Sequence, residues 1–424
     1  MGWEASFSPS RRQIRCPEYL PHSSAPSRSR DSASMLHPTR PGTRPMKTGL
    51  QAVSARRILV RVNNWIGDVV MISPAMRAVR STFPNAEITL LAKTWVLDAL
   101  QAAPFCDRLI EYDRDRAHAG LTGRWTLIRS LRRERFDLAL LFQRAFEAAL
   151  FARLAGIPRR VGFRGDFRSW LLTDPLPLPV DGHHLEQFLC IAEAVGADVR
   201  DRRLSFHLTP HARDAALNFL REHSLEKEVL RIAIHPGASK PARAWHPERF
   251  GAVASALVRE YGVRPLLFGT QDDERALEKI RSSVGNSCFV SAVGQNLQEM
   301  AAVLEHCHLL VCNDSGPMHI AAALRVPVVA IFGPGSPDRT RPFTDPTLCR
   351  VLTHLYPCSP CRQEFFKECH AAPSGKPHCL EDVTSEEVLR ACRELLGHLT
   401  HVAAPSAASA SIDSSGESPA PSAI

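Results

Sequence analysis

In the stretch LLVCNDSGPMHIAAAL, Leu309–Leu324, an apolar run halts at Asn-Asp-Ser-Gly-Pro and resumes as an alanine-rich segment. Leu309, Leu310 and Val311 have the make-up of a buried strand. Pro317 through Leu324 set a proline near the first position of a run of helix formers, as a helix start does. A strand, a short polar turn and a helix together aim unpaired backbone N–H groups and the positive end of the helix dipole at an anion. An ordinary strand-to-helix loop capped by Asp314 or Ser315 looks the same, so this stretch alone leaves both readings open.

The pattern continues on either side. RILVRV, EITLLA, RLIEYD, DLALLF and RRVGF are short β-rich runs, separated by helical patterns such as VVMISPAMRAVRSTF and LTGRWTLIRSLRRERF. Past an irregular proline-containing stretch, TDPLPLPVDGHH, and a helix from about His211, the alternation restarts with RIAIHPG, PLLFGT, CFVSAVG, LLVCNDSG and VPVVAIFGP. ERFGAVASALVREYG and NLQEMAAVLEHC fill the gaps, the latter with Leu297, Met300, Ala301 and Leu304 on one helix face. Strands alternating with helices imply parallel sheets covered on both faces. The expectation is an α/β chain of two Rossmann-like domains, residues 55–205 and 231–400, joined at 206–230 by a connection containing a helix. Ligands then belong in the cleft between them, at the carboxyl ends of strands.

A chain of 424 residues is too long for one ordinary core, and roughly two or three domains is the length prior. With 44% apolar and 23% charged residues it reads as globular, and a formal charge of +8 suits anionic company: nucleic acid, a phosphorylated substrate or an acidic membrane surface. Arginines interrupt the most apolar run, LALLFQRAFEAALFARLAG, below the roughly 20 residues a spanning helix needs. Residues 1–54, rich in Ser, Pro and Arg, and the low-complexity 401–424 read as tails without chemistry. The first has no continuous apolar stretch of the secretory kind, and Met35 or Met46 are alternative starts.

Several strand-end loops carry polar groups. In VNNWIGDVVMISPAMRAV, Asp68 beside Gly67 fits a helix cap or a general base at a cleft mouth. In IHPGASKPARAWHPERF, Ser239 leaves amides accessible and Lys240 and Arg243 offer cations for phosphate, although solvated charge is the plain alternative. Trp245 and Pro247 read as packing and helix-start residues. Asp272, Asp273 and Glu274 of FGTQDDERAL suit a helix's first turn, with a ribose contact as the further option. FGPGSPDRTRPF adds Gly333 and Gly335 beyond another strand.

Taken in order and spacing, GDVVMISPAMRAVR, HPGASKPARAWHPERF and NDSGPMHIAAALRVPVVAIFGP resemble glycosyltransferase family 9, in particular its lipopolysaccharide heptosyltransferases of type II, over residues 56–395. The resemblance implies a GT-B fold and metal-free, inverting transfer of heptose from ADP-L-glycero-D-manno-heptose to lipid A-linked core oligosaccharide. It implies Asp68 as the base, with the donor on the C-terminal domain at Asp314, Ser315, Gly316, Pro317 and His319; the loop residues Ser239, Lys240, Arg243 and Glu274 read above are expected to join them. Arg243 stands where the family usually has lysine, and a planar fork is not a point charge. A phosphorylated, carboxylated acceptor gives Arg144, Arg159, Arg160 and Arg164 a natural task, with solvated surface as the default for each. A cytoplasmic enzyme touching the inner face of the membrane is the implied location.

Twelve cysteines occur, and four cluster in YPCSPCRQEFFKECHAAPSGKPHC, an insertion at 356–380. Cys358, Cys361, Cys369 and Cys379 fit a structural tetrahedral zinc, reduced thiols or disulfides; four protein ligands leave no open position for catalytic zinc. No cofactor is expected for catalysis. Two other classes compete: another GT-B enzyme, either a transferase with a different nucleotide sugar or a nucleotide-sugar epimerase, and a non-enzymatic nucleotide-sugar or nucleic-acid binder. A pure binder has no use for Asp68 opposite a leaving group, and no RNA-binding fingerprint or basic patch interleaved with aromatics appears, which sets nucleic acid aside.

Overall fold

Strands alternate with helices along most of the described chain, so nearly every strand reaches its neighbour by a helical crossover and pairs in parallel. The computed structural model describes residues 54–228, 230–285, 289–361 and 369–403, without the side chains of 293 and 398–403. The two tails, save residues 54 and 401–403, and part of the cysteine-bearing insertion lie outside the described residues.

The first series is β1 (Arg57–Arg61), α1 (Ile66–Thr82), β2 (Glu87–Ala92), α2 (Thr94–Leu100), β3 (Arg108–Glu111) and α3 (Gly120–Arg133). It continues with β4 (Leu138–Leu141), α4 (Phe146–Leu154), β5 (Arg159–Phe163), β6 (Asp174–Leu176) and α5 (His184–Glu193). After α6 (Pro210–Glu222) come β7 (Ile232–His235), α7 (Pro247–Tyr261), β8 (Leu266–Gly269), α8 (Glu274–Val284), β9 (Val290–Val293) and α9 (Leu297–Glu305). The series closes with β10 (Leu309–Asn313), α10 (Gly316–Ala323), β11 (Val328–Phe332), α11 (Pro337–Thr340), β12 (Cys349–Thr353), α12 (His378–Glu381) and α13 (Ser385–Ala403).

Two six-stranded parallel sheets result, ordered β3-β2-β1-β4-β5-β6 and β9-β8-β7-β10-β11-β12. Each therefore winds outward in one direction from its first strand and then in the other, which opens a crevice beside that strand at the carboxyl edge. Both faces of the sheets are buried because successive residues point opposite ways. Leu138 and Leu140 share a core with α1 and α5, whereas Ala139 and Leu141 share one with α3 and α4. In the second sheet Leu310 and Cys312 pack with α9 and α10, and Leu309 and Val311 with α7 and α13.

One core takes in α1, α5, α6, α9 and α10 from both halves, so the domains join through their inner layers. Buried Gln298 reinforces the join: its Oε1 accepts from Thr209 N at 3.0 Å, and its Nε2 donates to Asp98 O at 2.8 Å. Pro175 places β6 at a sheet edge, where a missing N–H breaks no ladder. Among the described residues no helix is long and apolar enough to cross a membrane.

Candidate active site

The turn between β10 and α10 is braced from below by Asn313, the last residue of its strand. Its Oδ1 accepts from Trp245 N at 3.0 Å and its Nδ2 donates to Pro236 O at 2.7 Å, so one buried amide holds both ends of the HPGASKPARAW loop against the turn. Trp245 is fully buried beneath, its indole N–H donating to Val383 O at 3.0 Å. Asp314 follows, 2% exposed, with Arg243 Nη1 3.3 Å from its Oδ2. Burial raises the Asp314 pKa above the ordinary aspartate value, and Arg243 opposes the rise. Ser315 is the extended N-cap of α10, but its hydroxyl makes no capping bond. Gly335 closes over the carboxylate so tightly that a Cβ there would lie 2.5 Å from Asp314 Oδ2.

Across from this turn stands the amino end of α1. Asp68 sits in its first turn, and Asn63 Nδ2 donates to Asp68 Oδ2 at 2.9 Å. Burial raises the Asp68 pKa, and the Asn63 hydrogen bond and the Arg243 charge pull it back. A carboxylate held above its usual range is a stronger proton acceptor than a free one. The two helix starts abut: a Cβ on Gly67 would be 2.6 Å from His319 Cδ2, and one on Gly316 would be 3.4 Å from Ile66 Cβ. Only a residue without a side chain at 67 lets the α10 histidine lie there. Asp68 and the Asp314 turn thus share one site, contributed by both domains.

A third element completes it. His183 accepts from Leu185 N through Nδ1 at 3.2 Å, so its Nε2–H donates to Arg341 O at 2.9 Å, another bond between the halves. Burial and then the charges of Arg339, His183, Arg144 and Arg243 hold His184 down to about 4. Burial, with His183, His184 and Arg243, holds His319 down to about 3. Neutral imidazoles therefore line a groove where Arg144, Arg243 and Arg339 stand with the Asp68 and Asp314 carboxyls, and the surplus of cations favours an anion. Asn63 Oδ1, Ser315 Oγ, His319 Nδ1 and Arg339 Nε are buried there without a hydrogen-bond partner, which suits a ligand rich in oxygen.

Ser239 and Lys240 are exposed on the loop after β7. Glu274 begins α8 after β8 and pairs with Arg281. Arg144 and Arg164 are exposed beyond β4 and β5, at the carboxyl edge. Arg159 and Arg160 are not brought there. They open β5 at its amino end, about 13 Å away along the strand, and their groups are engaged: Arg159 pairs with Asp174 at 3.2 Å, and Arg160 Nε donates to Leu171 O at 2.7 Å. The Cys379 thiol is pushed up to about 12 by burial and by the neighbouring Cys358, Cys361 and Cys369. Among the described residues no three His, Cys, Asp or Glu side chains are placed to hold a metal ion.

Residues 124–371 match glycosyltransferase family 9 (heptosyltransferase), more than half of the chain. The chain belongs to glycosyltransferase family 9. It is therefore a glycosyltransferase, and its two facing sheets are the GT-B arrangement. Among its relatives, lipopolysaccharide heptosyltransferase 2 of Salmonella typhimurium is 31% identical over 300 residues, 68% of this chain and 86% of the relative. The solved structure of E. coli ADP-heptose lps heptosyltransferase II has a TM-score of 0.66 at 26% identity, over 81% of this chain and 99% of that one. A family 9 glycosyltransferase from Veillonella parvula has a TM-score of 0.72 at 24% identity, covering 81% and 98%. Asn63, His183, His184 and Arg339 were not singled out from the sequence of this family 9 chain. Asn63 was discoverable, since VNN ends a strand next to Asp68; the others come from segments without strand or helix patterning.

Proposed function

We propose that the protein transfers heptose from ADP-L-glycero-D-manno-heptose to the lipid-anchored inner core of lipopolysaccharide, inverting the anomeric centre without a metal. The abutting amino ends of α1 and α10 carry this reading, because they put a carboxylate of raised pKa and an amide-lined turn on two sides of one groove. Support for donor and acceptor comes from the relatives, whose names specify lipopolysaccharide and, for the E. coli enzyme, ADP-heptose.

Asp68 takes the proton of the acceptor hydroxyl as that oxygen bonds to the anomeric carbon, and the bond from that carbon to the diphosphate oxygen breaks. ADP departs with the electron pair. The charge gathering on it meets the first amides of α10 and the guanidinium groups of Arg243 and Arg339, and such pre-aimed groups stabilise a transition state strongly. Asp314, Ser315 and His319 are left for sugar and phosphate oxygens. Exposed Arg144 and Arg164 meet the acidic acceptor, and a lipid-anchored core acceptor would be met in the cytoplasm at the inner membrane face.

Incubation with ADP-heptose and a lipid A–Kdo core acceptor tests this, with products resolved by mass spectrometry and NMR. The expected result is ADP plus an acceptor heavier by one heptose with inverted configuration, formed equally in chelator. Conversion of the nucleotide sugar without acceptor would instead identify an epimerase, and transfer from a different nucleotide sugar would change the donor.

A further inference from the structure

The turn after β1 is held on both sides of Asn63. Buried Arg61 donates from Nη1 to Val62 O at 2.7 Å and from Nη2 to Asn64 Oδ1 at 2.9 Å, and the Trp95 indole N–H donates to Asn64 O at 2.9 Å. Between these fixed neighbours the Asn63 side chain reaches α1, where its Nδ2 donates to Asp68 Oδ2 at 2.9 Å. Asp68 accepts no other hydrogen bond among the described residues, so its Oδ1 is left open. An ionised carboxylate only accepts, and this settles the amide: its N–H side faces Asp68 and its oxygen needs a donor from elsewhere.

That oxygen, Asn63 Oδ1, is buried without a hydrogen-bond partner among the described residues. A buried amide acceptor is costly until a donor reaches it. The kind of donor follows from sign. Phosphate oxygens are themselves acceptors, repelled by Asn63 Oδ1 and by the Asp68 carboxylate alike, and the α10 amides with Arg243 and Arg339 suit them better. An ammonium group is disfavoured by the surplus of arginines in the groove. A neutral hydroxyl remains. Two acceptor groups tied together by one hydrogen bond call for two hydroxyls side by side, as neighbouring carbons of a sugar ring present them.

We infer that Asn63 and Asp68 together read a pair of adjacent hydroxyls on the acceptor sugar: Asp68 takes the proton of the one that attacks, and Asn63 Oδ1 accepts a hydrogen bond from its neighbour. Asn63 thereby aims the base and selects a vicinal diol. The inference rests on the proposed function in needing an acceptor alcohol, but not on which sugar is transferred. Arg243, on the loop after β7, bears on Asp68 from the other domain, and His319 of α10 abuts Gly67 as a neutral imidazole. With both unchanged, loss of the Asn63 hydrogen bond removes support for the ionised carboxylate and moves its protonation to higher pH.

Steady-state transfer by the full chain to a deacylated acceptor, and to its analogues deoxygenated at the carbons flanking the hydroxyl that receives the sugar, tests this. On one of those analogues the wild type should lose about 5- to 150-fold in kcat/KM, the worth of a buried acceptor left unpaired. Asn63→Leu should lose a comparable factor on the full acceptor and then be indifferent to that deoxygenation, with donor Kd unchanged and the acid limb of kcat/KM at higher pH. Asn63→Asp keeps an acceptor oxygen but sets a second carboxylate beside Asp68, so it should still prefer the full acceptor while its acid limb also moves up. Unchanged circular dichroism shows that the variants are folded; if one unfolds, the other and the wild-type comparison decide the outcome.

The inference is overturned if the wild type uses every deoxy analogue as readily as the full acceptor, if the losses from Asn63→Leu and from deoxygenation multiply as independent effects, or if the acid limb stays in place. Those results leave the proposed transfer standing. Transfer from a different nucleotide sugar would instead sink the proposed donor and leave the diol reading to be decided by the same comparison with that donor. Conversion of the nucleotide sugar without any acceptor overturns both.

Discussion

Gly67 shows how little room the site has. His319 occupies the space a side chain would need, so Gly67→Ala forces the two helix starts apart or displaces the imidazole. Overpacking of this kind costs about 1–3 kcal/mol, and transfer should fall with it, measurable as a lower Tm together with reduced kcat. The protonation states give a second expectation. His184 and His319 have folded values of about 4 and about 3 against an ordinary 6.5, so on acidification the unfolded chain takes up protons that the fold refuses. Stability is complete above about pH 6.5 and is lost as pH falls from there toward about 4. A Tm that stays level over that window would show the histidines to be solvated. Asp68 has the opposite sign: its raised value places the acid limb of kcat/KM above the ordinary carboxylate range, and activity should decline as pH drops through it. Asp68 and Asp314 were legible in the sequence because each ends a strand–turn–helix pattern. His183 and His184 were not, because a proline-rich approach hides a helix start and their neighbours come from distant segments.

The loop–turn pair after β7 and β10 behaves as one element because Asn313 is bonded to both. Asn313→Leu leaves the Trp245 N–H and the Pro236 carbonyl buried and unpaired, at about 1–3 kcal/mol for such a group. Donor affinity should drop more than the stability loss explains, because Arg243 rides on that loop; calorimetric titration with ADP compares the two. A donor Kd unchanged in a folded Asn313→Leu protein would show that the loop is positioned independently. The long apolar strands and periodic helices were readable from pattern alone. Edge strand β6 was not, since Pro175 argues against a strand until its edge position is known, and β12 is only half-buried, so it lacks the apolar signature of the central strands.

At the level of the assembled chain, the proposed mechanism draws on both domains: the first offers the carboxylate on α1, the second the amides of α10 and Arg243. The shared inner core and the Gln298 and His183 bonds hold the halves together. The two-sheet architecture followed from counting two strand–helix series, but how the halves meet did not, because inter-domain packing has no local period. The account rests on Asp68 acting on the acceptor and not on the donor. Parallel measurement of transfer rate and ADP-heptose Kd for the wild type and Asp68→Ala tests this. Loss of a general base predicts a fall in kcat of at least about 10²–10⁴-fold with donor Kd nearly unchanged. Equal turnover in the variant, or a loss explained entirely by weaker donor binding, would contradict it.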